Sequence, residues 1–413
     1  MLAVFNYADV EITAPFYVKI TKARNFYKTV FKSKTFCAIL FYIFLFRRNF
    51  TLYSGTNVDK YSFRNDYSES AHPQIIKKLL DLAYETNTPY GMDRHSEAAA
   101  NMIRELCGTP NAEVAFTSGG TATNVLAISA FLRNTYDAVI CADTGHINVH
   151  ETGSIEYMGR KAITIPVGVD GKLTPEIIDP VFKGFESEHM VIPKLVYISQ
   201  STELGTLYTK AELTALSEYC HANGMWLFVD GARLASALTA KCNDVTLKDL
   251  GALTDGFYLG GTKNGLLFGE ALVLTDPVVY DHLRWLIKQR GYMLAKGFVV
   301  GAMFEEALNS GLYFEMGKYA NNCAERIVEA IRQAGFDLYC EFQTNQIFVL
   351  LPEELGQELS DTYGCFIQAR LPDGRWAVRI VTSCATTDDA IADISAWFIK
   401  KVAAGIVKNY ISK

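Results

Sequence analysis

Three turns carry residue types fit for chemistry. In Phe228-Val229-Asp230-Gly231-Ala232-Arg233 an apolar strand ends on an aspartate. A carboxylate delivered to a sheet edge is largely desolvated, and is costly there unless a cation or an N–H group meets it. Asp230 also fits the N-cap of a following helix. Thirty-three residues later, Lys263 lies in Leu259-Gly260-Gly261-Thr262-Lys263-Asn264-Gly265, backed by the apolar Leu266-Leu267-Phe268. An enclosed lysine loses basicity and its neutral amine attacks carbonyl carbons, whereas a solvated loop lysine does neither. The third turn, Thr117-Ser118-Gly119-Gly120-Thr121, joins a strand to a helix. Free N–H groups and the dipole at such a helix start make a phosphate site, although a plain glycine-rich turn has the same composition. Neither GxxxxGK[ST] nor GxGxxG occurs in these segments, so a phosphate here is not held in either of those standard ways.

Short β-rich runs alternate with amphipathic helical patterns from Tyr61 onward, which predicts an α/β three-layer sandwich around a mostly parallel sheet. Strands are expected at Val114–Thr117, Ala138–Ala142, Ala162–Pro166, Leu195–Ser199, Trp226–Val229 and Gly256–Leu259. Helices are expected at 73–88, 94–107, about 121–133, 174–186, 210–223, 246–252 and around 277–310. Ligands of open α/β sheets bind beyond the carboxyl ends of strands. The turns TSGGT, CADTGH, SQSTELG, VDGAR and LGGTKNG should therefore converge on one site. Residues 61–310 form the expected major domain. Residues 311–413 form a small α+β domain with strands at Ile347–Leu351 and Val378–Val381 and a closing helix over 386–403.

The 413 residues are 49% hydrophobic and 20% charged, enough apolar material for a large core, which excludes a disordered or disulfide-stapled chain. A net charge of −6 argues against nucleic-acid binding. Nine cysteines without a CxxC pair point to reduced thiols in a cytoplasmic setting and to no metal site. Residues 1–60 differ from the rest, with nine Lys/Arg against three Asp/Glu and nine of the 25 Phe. Their apolar run Phe36–Phe46 is shorter than the roughly 20 residues that span a bilayer as a helix. A non-native extension is the favoured account, followed by an organellar leader; a membrane-associating hairpin is the third, and no membrane contact is expected for 61–413.

Together, a strand-end Asp, a Lys after the next strand and an upstream phosphate turn meet the needs of pyridoxal 5'-phosphate: a Schiff-base lysine, an acid for the pyridine nitrogen and an anion cradle. This order resembles the aspartate-aminotransferase-like superfamily and, more closely, the threonine aldolase family of the β-eliminating lyase group, from Phe63-Arg64-Asn65-Asp66 to Arg379. The resemblance implies that Lys263 carries the cofactor, Asp230 faces its ring nitrogen, and Gly120 and Thr121 hold its phosphate. It further implies that His146 stacks on the cofactor beside Glu151, that Arg233 and Arg379 grip the substrate carboxylate, and that Tyr90 lines the site.

Two positions depart from the family pattern. Asn65 stands where a serine is usual, and Glu203 replaces the histidine that approaches the substrate hydroxyl; a glutamate can still serve as a base. An arginine that reaches a neighbouring subunit's phosphate aligns with Leu294, and Lys296 or Arg290 could substitute. The expected reaction is cleavage of the Cα–Cβ bond of a β-hydroxy amino acid such as threonine or allo-threonine to glycine and an aldehyde, with proton transfer by Glu203, His146 or a water. Other pyridoxal-phosphate lyases, aminotransferases or a non-catalytic binding protein are the alternatives. Fold relatives imply a homodimer or homotetramer with sites at the subunit interface.

Overall fold

The computed structural model describes residues 60–403 and, upstream, only a pair of antiparallel strands, Ile12–Thr13 and Tyr17–Val18. The chain divides into Met1–Asp59 and one compact unit, Lys60–Lys413. The apolar run Phe36–Phe46 lies outside the described residues. Lys60, grouped by sequence with the extension, belongs to the compact unit: its Nζ pairs with Asp393 at 3.0 Å.

Seven strands build the central sheet: β1 (Glu113–Thr117), β2 (Asp137–Ala142), β3 (Lys161–Ile165), β4 (Ile192–Ser199), β5 (Trp226–Asp230), β6 (Gly256–Gly260) and β7 (Glu270–Leu274). Their order is β3-β2-β4-β5-β6-β7-β1. Pairings from β3 through β6 are parallel, and β7 runs antiparallel to both β6 and β1. Every residue of β2, β6 and β7 is buried, as a sheet covered on both faces requires. Two apolar clusters lie on its faces, one including Ile103, Val229 and Phe304, the other Phe131, Phe228 and Tyr258.

The six anticipated strands form within a few residues of their expected limits, and β7 is the addition. The helix Arg94–Cys107 has the expected bounds, set by the Asp93 cap on the N–H groups of His95 and Ser96 and by left-handed Gly108. The helix expected over 73–88 ends at Asp81, ahead of Ala-Tyr-Glu-Thr-Asn-Thr-Pro, where weak helix formers precede Pro89. The stretch 277–310 is three helices, Pro277–Tyr280, Leu283–Gln289 and Phe298–Asn309, interrupted at His282 and Gly291, both at positive φ.

Beyond it, the helix Leu312–Gln333 begins against the major core and ends in a third apolar cluster that holds Ile327, Val349, Val378 and Phe398. This cluster covers one small antiparallel sheet of β8 (Gln346–Pro352), β9 (Phe366–Arg370) and β10 (Arg375–Val381), in the order β8-β10-β9. Phe63 joins that cluster, and its backbone bonds to Tyr363 and Val381 bring the segment around Asp66 to this end of the molecule.

Candidate active site

The turns after β5 and β6 meet main chain to main chain. A Cβ on Gly231 would stand 1.8 Å from the Tyr258 carbonyl oxygen, and one on Gly260 would stand 2.2 Å from that of Ala232. Only glycine fits such an approach. Asn264 Nδ2 donates to the carbonyls of Ala232 (2.9 Å) and Gly260 (2.7 Å), lacing the Lys263 turn to the Asp230 turn.

Asp230 is 3% exposed. Its Oδ1 accepts from the Ala232 N–H at 2.9 Å and the Tyr258 hydroxyl at 2.5 Å. Its Oδ2 accepts from Asn124 Nδ2 at 3.0 Å and from the Tyr197 hydroxyl. Burial alone would raise its pKa, but the charge of His146 and these donors outweigh burial and hold the carboxyl below its ordinary range. Asn124 Nδ2 also donates to Glu151 Oε1 at 2.8 Å, and the same oxygen meets His146 Nδ1 at 2.9 Å. Burial opposes a charged His146, yet the Glu151 bond and the charges of Glu203 and Asp230 lift its pKa above the ordinary value.

Burial, and then the Arg233 charge, depress the pKa of Lys263, with Asp66, Glu203 and Asp230 opposing. Among the described residues no carboxylate lies within ion-pair distance of its Nζ, which stands 5.9 Å from the Tyr67 ring centre. Glu270, at the start of β7, fixes the turn from behind by accepting from the Gly261 N–H (2.6 Å) and the Thr262 hydroxyl (2.7 Å). Burial pushes the Glu270 carboxyl up to about 7.

The two arginines differ. Arg233 donates through Nε (2.6 Å) and Nη2 (3.1 Å) to Asp66, which also accepts from Asn345 Nδ2 at 3.0 Å. Within the chain the Arg233 fork meets Asp66, whose carboxylate offsets the cost of burying the guanidinium. Arg379, on β10, has a buried Nε without a hydrogen-bond partner among the described residues, and its guanidinium lies 5.1 Å from the Phe366 ring centre. Burial, then the Arg233 charge, lower its pKa. An unsatisfied buried donor of this kind suits an incoming anion. Asn65 uses its Oδ1 to close its own turn, accepting from the Tyr67 N–H and the Ser68 hydroxyl at 3.0 Å each.

Gly120 opens the helix Gly120–Phe131 at the end of β1, and the first-turn N–H groups of Gly120, Thr121 and Ala122 have no intrahelical acceptor. A Cβ on Gly120 would touch the Tyr258 hydroxyl at 3.4 Å, so this helix start adjoins a residue bound to Asp230. Glu203 projects from the turn after β4; its charge acts on His146, Lys263, Arg233 and Arg379. The anticipated residues at 120, 146, 203, 230, 233, 263 and 379 are in this way linked by bonds, packing or charge.

Tyr90 and Lys296 are not. Tyr90 sits at positive φ (+67°) and bonds through its N–H to Ala295 at 3.1 Å, at a cavity of about 370 Å³ whose lining includes Leu294 and Gly297. Lys296 is exposed beside it. Among the described residues neither makes a hydrogen bond, ion pair or ring contact with Asp230, His146 or Lys263. Sequence reasoning missed Asn124, Tyr197, Tyr258, Asp66 and Glu270. Of these Asp66 had a visible signal, an acid adjoining Asn65, while the others lie within apolar runs or a helix and become partners of Asp230 or the Lys263 turn only through the sheet order.

The β-eliminating lyase family profile matches residues 63–354 of the chain. A low specificity L-threonine aldolase from Pseudomonas aeruginosa is 32% identical over 295 residues, covering 70% of this chain and 84% of that one. The chain belongs to the β-eliminating lyase family. A solved threonine aldolase structure from Leishmania major agrees: it is 42% identical, superposes with a TM-score of 0.80 and covers 83% of this chain and 99% of its own. A serine palmitoyltransferase from Sphingomonas wittichii, at 16% identity, TM-score 0.63 and coverage of 84% of this chain and 88% of its own, shares the fold alone. The family is pyridoxal-phosphate dependent, and the residues here fit that cofactor. They supply an ionised buried acid, an amine of lowered basicity, a helix start with free N–H groups, and a buried arginine donor without a partner.

Proposed function

We propose that this protein is a pyridoxal-phosphate-dependent aldolase that cleaves the Cα–Cβ bond of β-hydroxy amino acids, taking L-threonine or L-allo-threonine to glycine and acetaldehyde. The juxtaposition of buried, ionised Asp230 with the Lys263 turn, under a partnerless Arg379 Nε, supports this reading most directly.

Bound pyridoxal phosphate supplies an electron-accepting ring that takes up the charge left on Cα when the bond breaks. Lys263 provides the amine that ties the cofactor covalently, and its lowered pKa keeps that amine reactive. Asp230, held ionised, would keep a proton on the ring nitrogen. His146, fixed by Glu151, would pack against the ring, and the N–H groups at Gly120 and Thr121 would hold the phosphate. Arg379 binds the substrate carboxylate through a planar fork, which orients the scissile bond. Arg233 adds positive potential while anchored to Asp66, and Asn65 shapes the turn that presents Tyr67.

Tyr90 and Lys296 suit a role across a two-fold interface in a homodimer or homotetramer. Tyr90 and Met92 are exposed at that cavity, Met92 at 65%, and Trp285, which follows the lining residue Arg284, is 71% exposed. The eight described cysteines, all free, suit a reducing cytoplasmic compartment, and among the described residues no helix is long and apolar enough to cross a membrane. The test is to purify the full chain with pyridoxal phosphate, record its visible spectrum and assay threonine, allo-threonine and serine. Glycine plus aldehyde is the expected result; an oxo acid plus ammonia, or no product, overturns the reading.

A further inference from the structure

A second histidine, His150, stands beside His146. His150 follows the short helix His146–Val149, and its N–H bonds to the His146 carbonyl at 2.9 Å. The spacing of four residues puts the two imidazoles on one face, with ring centres 5.4 Å apart and planes inclined by 55°. His146 is committed to Glu151, and through Asn124 to Asp230. Among the described residues His150 has no such anchor, and it is open to solvent.

We propose that His150 is the base that removes the proton from the substrate's β-hydroxyl, with Glu203 as the charge that orients and balances its ring. The inference rests on the aldolase reading above. In the step, the O–H bond breaks and its proton passes to a free His150 ring nitrogen. The O–H electron pair becomes the second C–O bond of the aldehyde, and the Cα–Cβ pair remains on Cα, where a proton is later added to give glycine.

Four groups act on His150 from the surrounding elements: Glu203 from the turn after β4, His146 from the same short helix, Arg379 from β10 and Lys263 from the turn after β6. Arg379 is the carboxylate site and Lys263 the cofactor site, so a ring that both influence stands by the substrate. Burial and the positive charges of His146, Arg379 and Lys263 lower the His150 pKa against the opposing pull of Glu203, whereas His146 moves the other way. Neighbouring groups driven apart in this manner separate into distinct acid–base roles. The neutral member is His150, and a neutral imidazole accepts a proton.

The experiment uses the holoenzyme carrying His150→Phe, which keeps a ring and removes its nitrogens. Expected are an unchanged visible spectrum, unchanged exchange of the glycine α-proton in D₂O, and a fall in threonine cleavage of roughly 100-fold or more. Glycine exchange needs the cofactor and Lys263 but no β-hydroxyl. A fall below about threefold, or equal losses in both reactions, overturns the proposal. A wild-type enzyme that exchanges glycine but cleaves no β-hydroxy amino acid overturns the aldolase reading instead. Should the variant not fold, proton NMR of wild-type His150 still decides. Its titration should lie below that of an ordinary histidine, fall further in Glu203→Gln, and coincide with the acid limb of kcat/KM for threonine; a limb that titrates elsewhere overturns the assignment.

Discussion

Arg233 gives two N–H groups to the Asp66 carboxylate, Nε at 2.6 Å and Nη2 at 3.1 Å, and both side chains are buried. Burial would raise the pKa of Asp66, yet the charges of Arg233 and Lys263 and the bonds from Arg233 and Asn345 hold it below the usual carboxylate range. The pair ties the segment around Asp66 to the turn after β5, and it distinguishes the two arginines. One is paired within the protein, and the Nε of the other has no hydrogen-bond partner among the described residues.

Asp66→Asn strands a buried guanidinium. Removing one partner of a buried pair costs about 3 to 5 kcal/mol, so urea unfolding should show a loss of that size. A change below about 1 kcal/mol would mean that Arg233 finds water or another acceptor.

Arg379→Lys keeps the charge but loses the planar fork. Charge-assisted hydrogen bonds contribute about 1.5 to 3 kcal/mol, so KM for the amino acid should rise roughly 10- to 100-fold while the spectrum of the bound cofactor stays the same. An unaltered KM would move the carboxylate site elsewhere.

Lys263→Ala removes the only amine placed to bond the cofactor in the proposed scheme. Both the visible imine absorbance and turnover should vanish, measured by spectrum and by glycine release. Survival of either one contradicts the assignment.

Glu270 gives a pH dependence of stability. Its carboxyl is raised by burial from 4.5 to about 7, so the native state keeps a proton that the unfolded chain gives up first. The stabilisation is complete below about pH 4.5 and is lost as pH rises through about 7. It amounts to about 3 kcal/mol over that span. Denaturant midpoints taken between pH 5 and 8 should fall in the wild type and fall less in Glu270→Gln; parallel slopes would assign the effect to another group.

Much of the site was legible because its parts sit where an apolar strand stops. β5 delivers Asp230 and β6 leads to Lys263, and both ends could be read from hydrophobic runs closed by glycines. β7 was not legible. Glu270–Leu274 follows Leu266-Leu267-Phe268 so closely that the two apolar stretches merge, and only pairing with both β6 and β1 distinguishes the strand. The partners of Asp230 were hidden for a related reason. Tyr197 and Tyr258 look like core aromatics within their strands, and their hydroxyls become donors to the acid only because β4 and β6 flank β5. The Asp66 partner of Arg233 could not be read from the sequence, since the segment holding Asp66 is carried there by the small C-terminal sheet.

Direct apposition of peptide units at Gly231 and Gly260 leaves no side chain between the two turns to act as a spacer. The joint between the Asp230 and Lys263 turns is consequently fixed, and even a single methyl group there would pry acid and amine apart. Retargeting this enzyme to other aldehydes has to leave both turns intact and change side chains away from this joint.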